Sequence, residues 1–141
     1  MRTYVVPYRI IFGNPRPLPL CELELIGRTE RVTIDALVDS GAEYSVFPRK
    51  AADDAGLDLP RLSNGSVSFG GSVEPAWKAQ VDFELEAWRL RADVLFVERL
   101  QFPYALLGRR GVFARFGEVA FVEKTNSPRV EFRGDRGRIE L

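Results

Sequence analysis

The 141-residue chain has no histidine and a single cysteine, Cys21. Without histidine there is no Ser-His-Asp or Cys-His nucleophile, no imidazole general base and no histidine-containing zinc site. One cysteine excludes an intramolecular disulfide, a four-cysteine metal site and a CxxC redox pair. Lysine is scarce as well: Lys50, Lys78 and Lys124 are the only three, and none sits beside a serine-nucleophile motif. An excess of either charge is also missing. Lys+Arg 20 balance Asp+Glu 20, which argues against nucleic acid as the main partner, since phosphate binding needs a basic excess. Nowhere do 18 uncharged apolar residues run together, so no membrane-spanning helix is expected. The N-terminal MRTYVVPYRIIFG is broken by Pro7 and Arg9 and no small-residue cleavage site follows it, so no export signal is expected. With its lone thiol, the chain reads as cytoplasmic. Any catalysis is to be sought first among the carboxylates.

What is present is ordinary in proportion: 45% apolar and 28% charged residues, enough for one domain over residues 1–141 that folds without staples. The dominant pattern has period two, the mark of half-buried strands. Strands are predicted over Thr3–Phe12, with Pro7 indicating an edge, and over Leu20–Ile26 and Arg31–Val38, joined by a turn at Gly27–Glu30. A short helix follows Pro48 and ends at Gly56. Val67–Phe69 begins a strand interrupted by Gly70-Gly71, and Trp77–Leu85 and Trp88–Val97 form a long hairpin. Phe102–Leu107 is a further strand and Arg109–Phe116 a short helix. Val119–Lys124 and Arg129–Phe132 are the closing strands. The fold class is mostly β, a closed or nearly closed barrel with one or two short helices.

One segment carries chemistry. In Asp35-Ala-Leu-Val-Asp-Ser-Gly-Ala-Glu-Tyr-Ser-Val-Phe-Pro48, an apolar strand delivers Asp39, Ser40 and Gly41 into a tight turn. Water is a poor nucleophile, and without histidine or metal a carboxylate must take its proton. Two carboxyl groups sharing one proton do this well, because like charges at close range do not both ionise cheaply. Glycine at 41 lets the backbone turn beneath such a pair, and the Ser40 hydroxyl is able to hydrogen-bond across it.

Leu37-Val38-Asp39-Ser40-Gly41-Ala42 resembles the active-site loop of the retropepsin-like aspartic proteases. Leu106-Leu107-Gly108-Arg109 matches the apolar run and glycine that these enzymes place downstream. Phe69-Gly70-Gly71-Ser72 occupies the position of their glycine-rich flap. The resemblance spans about residues 20–132. It implies an acid-protease-type barrel with one half-site per chain, Asp39 as the catalytic residue, and support from Ser40, Gly41 and Arg109. It further implies substrate contacts from Ala42, Glu43, Tyr44, Gly70 and Gly71, with no cofactor and no metal. Only one Asp-Ser-Gly is present, so a dyad requires a homodimer acting on a polypeptide substrate, with no nucleic acid or membrane as partner. In viral members the acidic residue after the turn pairs with the arginine after the glycine, which implies a Glu43–Arg109 contact. Their paired chain ends imply an interface at Val119–Lys124 and Arg129–Phe132. Tyr44 departs from the second acidic residue common in viral members, so their specificity does not carry over.

Blander readings stand beside these. Asp-Ser-Gly is also ordinary turn chemistry, and a fold does not guarantee its function. The competing function is a catalytically weak or inactive dimer acting as a peptide-binding or assembly module. Trp77 and Trp88 read as hairpin packing residues, and Arg133-Gly134-Asp135 as a surface turn.

Overall fold

The computed structural model describes residues 2–11, 13–69, 71–86 and 88–134. In chain order its elements are β1 (Arg2–Pro7), β2 (Leu20–Ile26), β3 (Arg31–Val38), β4 (Ser45–Pro48), α1 (Arg49–Ala55), β5 (Gly65–Phe69), β6 (Ser72–Leu85), β7 (Trp88–Val97), β8 (Ala105–Leu107), β9 (Glu118–Val122) and β10 (Arg129–Gly134). A 3-10 turn at Phe113–Arg115 precedes β9.

β2 and β3 form at the bounds their alternation predicts. Leu23 and Leu25 face inward between Glu22 and Glu24, and across the hairpin Ile34, Ala36 and Val38 do the same. The two strands pair antiparallel from Leu20↔Leu37 to Ile26↔Arg31. β6 is the organising strand. Its 14 residues are too many for one partner, so its first part pairs with β5 and its last part, Asp82–Glu84, pairs with β2. That second contact closes the sheet in the order β2-β3-β8-β4-β7-β6 and back to β2, a six-strand barrel from which the β5–β6 hairpin projects. Closure removes the sheet edges that an open arrangement would expose.

The barrel interior is aromatic. Phe47 meets Phe83 and Phe96 edge to face at 5.7 and 5.9 Å, and all three are fully buried. Each buried side chain of this size contributes about 1.5–3 kcal/mol relative to exposure. α1 lies against the barrel through Ala51, Ala52 and Ala55, small residues that allow a close approach. Pro48 sits at its N-cap and Gly56 ends it with φ 73°, a left-handed cap that glycine adopts without a Cβ penalty. Trp77 and Trp88 are both buried; Trp88 packs edge-on against Phe116 at 4.8 Å, while Arg49 stacks over Trp77 at 4.3 Å.

A second sheet has the order β1-β10-β9, antiparallel throughout. It shares the main core through Val6, Val130 and Phe132. Its arrangement changes one expectation: β10 lies in the middle, with β1 on one edge and β9 on the other, so its backbone groups are used within the chain. Among the described residues, the open edges of this sheet are the outer sides of β1 and β9. The predicted first strand stops at Pro7, and Phe12 lies outside the described residues.

Two more elements are shorter than predicted, each for a physical reason. β8 begins at Ala105 and not Phe102. Continued in register, it would place Pro103 beside Ile34, where proline has no N–H to give. The expected helix over Arg109–Phe116 contracts to the 3-10 turn, because Gly111 has φ 77°, outside the right-handed helical region. Among the described residues no helix is long and apolar enough to cross a membrane.

Candidate active site

β3 runs straight into the turn that holds Asp39. The Val38 N–H donates to Pro19 O on one side at 2.9 Å, and the Asp39 N–H donates to Leu107 O on the other at 3.0 Å. Both flanks of the strand are therefore tied down where it ends. Beyond it, Gly41 N–H donates to Asp39 Oδ1 at 2.9 Å and Ala42 N–H to Asp39 O at 3.2 Å. The carboxylate is oriented by its own turn, with its second oxygen left over. Asp39 is half-buried, while Ser40 and Gly41 are exposed.

Residues 42–45 then cross residues 107–110, and the crossing is hydrogen-bonded along its length. Arg109 N–H donates to Ala42 O at 2.9 Å and Arg110 N–H to Glu43 O at 2.8 Å. Beside them, Gly108 N–H donates to the hydroxyl of Ser45 at 3.0 Å, and Ser45 is fully buried. A Cβ on Gly108 would fall 2.5 Å from the carbonyl carbon of Tyr44 and 2.9 Å from Ala42 O. Only glycine permits the two segments to touch, which is the physical content of the Leu-Leu-Gly run.

The crossing also decides who pairs with Glu43. Its carboxylate accepts from Arg110 Nε at 3.1 Å, not from Arg109. Backbone pairing of 110 with 43 sets these two side chains together. The pair is more than half exposed, so it contributes about 0.2–1 kcal/mol. The half-buried Tyr44 ring lies against two cations, Lys78 Nζ at 5.1 Å and the Arg110 guanidinium at 5.2 Å, and Lys78 Nζ donates to the Tyr44 hydroxyl at 3.4 Å. Lys78 is itself placed by Asn64, whose side chain accepts from Lys78 N–H at 2.7 Å and donates to Lys78 O at 3.3 Å.

The β5–β6 hairpin projects from the end of the seven-stranded sheet. Gly71, at φ 92°, is at its tip; Gly70 lies outside the described residues. A second apolar cluster, separate from the barrel core, joins the hairpin base to the Asp39 strand through Val67 and Ala76 on one side and Leu37, Tyr44, Val46 and Leu106 on the other. Among the described residues no three His, Cys, Asp or Glu side chains come together as metal ligands. Cys21 is buried on β2 away from this turn, and burial pushes its thiol pKa up to about 12.

Sequence reasoning missed Ser45, Arg110, Lys78 and Asn64. Ser45 had a signal, a lone hydroxyl inside an apolar stretch. The others depend on which residues the fold brings opposite one another.

A family model described as aspartyl protease matches residues 25–110, which spans both crossing segments. A retropepsin-like aspartic protease from Rickettsia conorii is similar in structure, with TM-score 0.61 at 14% identity over 93% of this chain and 91% of that one. The protease of EIAV, solved with the inhibitor HBY-793, superposes with TM-score 0.53 at 14% identity over 71% of this chain and 88% of that one. No curated protein matches by sequence. The strand-borne Asp-Ser-Gly turn, the glycine crossing beneath it and the barrel carrying both agree with these likenesses; the fold is retropepsin-like, and the chain belongs to the aspartyl protease family.

Proposed function

We propose that the chain is an aspartic endopeptidase whose site forms between two copies, each giving one Asp39. The observation that carries this reading is the carboxylate itself: one oxygen is held by Gly41 N–H at 2.9 Å, at the end of an apolar strand, with no second such turn among the described residues. In the paired state one carboxyl is ionised and takes a proton from water. The other is protonated and donates to the oxygen of the scissile carbonyl as the water oxygen adds to its carbon. The resulting tetrahedral species collapses as the amine nitrogen takes a proton and the C–N bond breaks. Such titration belongs to the pair and not to either residue. Exposed Ser40 is available to hydrogen-bond across the dyad, and Ala42, Glu43 and Tyr44 line the approach. The β5–β6 hairpin, with Gly71 at its tip, acts as the flap that closes over an extended polypeptide and excludes water.

Homodimerisation is supported by the single half-site and by the outer edges of β1 and β9, unpaired among the described residues, which a second copy can join about a two-fold axis. The whole chain acts as one domain, in the cytoplasm, without cofactor, on polypeptide and not nucleic acid. The test is incubation with an unfolded protein, with and without a transition-state-mimicking aspartic-protease inhibitor, beside the near-isosteric Asp39→Asn. Inhibitor-sensitive cleavage that falls by about 10²–10⁴-fold or more in the variant is expected. Wild-type cleavage by a folded Asp39→Asn chain sinks the reading.

A further inference from the structure

The outer edge of β3 is only partly used. β2 covers one edge along the whole strand, but β8 covers the other only at Ala36–Val38. Val38 N–H points to the β2 side and Asp39 N–H to the β8 side, and strand alternation therefore turns the main chain of Thr33 and the N–H of Asp35 toward β8. Among the described residues these groups have no main-chain partner there. β8 does not reach them because Pro103 stands where the next donor would be.

The vacant edge opens into a groove of about 430 Å³, lined by Val32–Asp35, by Lys50 and Asp54 of α1, and by the segment leading into β8. Its size falls in the range of built binding sites, about 300–1,000 Å³. The wall opposite the strand edge holds Phe102 and Tyr104, stacked at 5.3 Å with their planes 7° apart. The rim charges are compensated within the chain: Lys50 pairs with Asp54 at 2.9 Å and Asp35 with Arg9 at 2.7 Å. What the groove leaves unanswered is the main-chain hydrogen bonding of the β3 edge, and its uncharged lining is largely apolar and aromatic. A strand with an apolar side chain satisfies both, and neither an ion nor a charged headgroup does.

We propose that this groove is a second polypeptide-binding site, in which an extended segment adds to the free edge of β3 in line with β8 and sets an apolar side chain against Phe102 and Tyr104. This is strand addition, with affinity from the backbone ladder and selectivity from alternate side chains. Thr33 lies about 20 Å along the strand from Asp39, so the site is distinct from the catalytic turn. In a peptidase it holds the substrate chain away from the bond that is cut; that consequence alone rests on the proposed activity.

The test uses the full-length Asp39→Asn chain and, as probe, a blocked octapeptide of alternating valine and threonine with a central phenylalanine. Amide resonances of Thr33 and Asp35 shift on titration, and their hydrogen exchange slows about tenfold or more. Thr33→Pro removes an outward-facing N–H without touching the β2–β3 ladder and weakens binding about tenfold or more, near 1.4 kcal/mol. Tyr104→Ser, or N-methylation of alternate probe amides, weakens it independently should the proline variant fail to fold. Absence of binding, perturbation confined to the Asp39 turn, or unchanged binding by a folded Thr33→Pro chain overturns the proposal. Protection of Thr33 and Asp35 that rises with protein concentration without peptide also overturns it, giving the edge to a second copy. Because the chain tested lacks the Asp39 carboxylate, the result is independent of whether the protein cleaves peptides.

Discussion

The N–H of Gly108 and the hydroxyl of Ser45 meet at 3.0 Å, 63 residues apart in sequence, at the point where the loop after Asp39 passes over the end of β8. Ser45 is the one polar side chain in the crossing with no exposure at all. Ser45→Ala leaves the Gly108 N–H buried without an acceptor, a loss of about 1–3 kcal/mol. Urea unfolding is expected to show a lower midpoint at unchanged slope, and Ser45→Thr recovers part of the difference.

Gly108→Ala tests the same contact from the other strand. The new methyl meets Tyr44 backbone at 2.5 Å, and backbone does not yield as a side chain does. Overpacking of this kind costs about 1–3 kcal/mol. Displacing the loop that carries Asp39 should also lower peptide cleavage by more than the stability loss explains, measured well below the melting temperature.

Glu43 distinguishes two adjacent arginines. Because its partner is Arg110, a double-mutant cycle of Glu43→Gln with Arg110→Gln is expected to give a coupling of about 0.2–1 kcal/mol that shrinks with added salt. The same cycle with Arg109→Gln should give none. A reversed result returns the pairing to Arg109.

On the barrel wall, hydrogen bonds from the Arg91 guanidinium, with Arg89 adding to them, hold the Asp82 carboxyl below its ordinary range against the opposing push of partial burial. Arg91 Nε reaches Asp82 Oδ1 at 2.7 Å. A carboxylate with a depressed folded-state pKa contributes stability that is fully present above its unfolded value, about 3.9. That contribution is lost as pH falls through the lower folded value. Thermal melts between pH 6 and pH 2 are expected to show a shallower acid loss for Asp82→Asn than for the wild-type chain.

If two copies share the site, specific activity falls on dilution in parallel with the dimer fraction seen by sedimentation. Mixed wild-type and Asp39→Asn chains form heterodimers of greatly reduced activity, since one carboxylate remains where two are needed. An active, strictly monomeric species contradicts the two-chain site.

Sequence alone determined the elements whose cause is local. Leu20–Ile26 and Arg31–Val38 form strands because period-two alternation admits one inward face, and α1 is bounded by Pro48 and Gly56 because each suits only its own end of a helix. The Asp-Ser-Gly turn and the Leu-Leu-Gly run were legible too, since each is a chemical requirement written in adjacent residues. Tertiary structure decided everything that depends on which segments meet. Arg109–Phe116 is not a helix because Gly111 takes φ 77° just after Arg109 and Arg110 bond across to Ala42 and Glu43. Arg110, not Arg109, meets Glu43 because that same pairing sets the register. β10 lies between β1 and β9 because the two ends of the chain find each other across the core. Ladder partners, crossing points and open edges are properties of pairs distant in sequence, and periodicity within one segment carries no information about its partner.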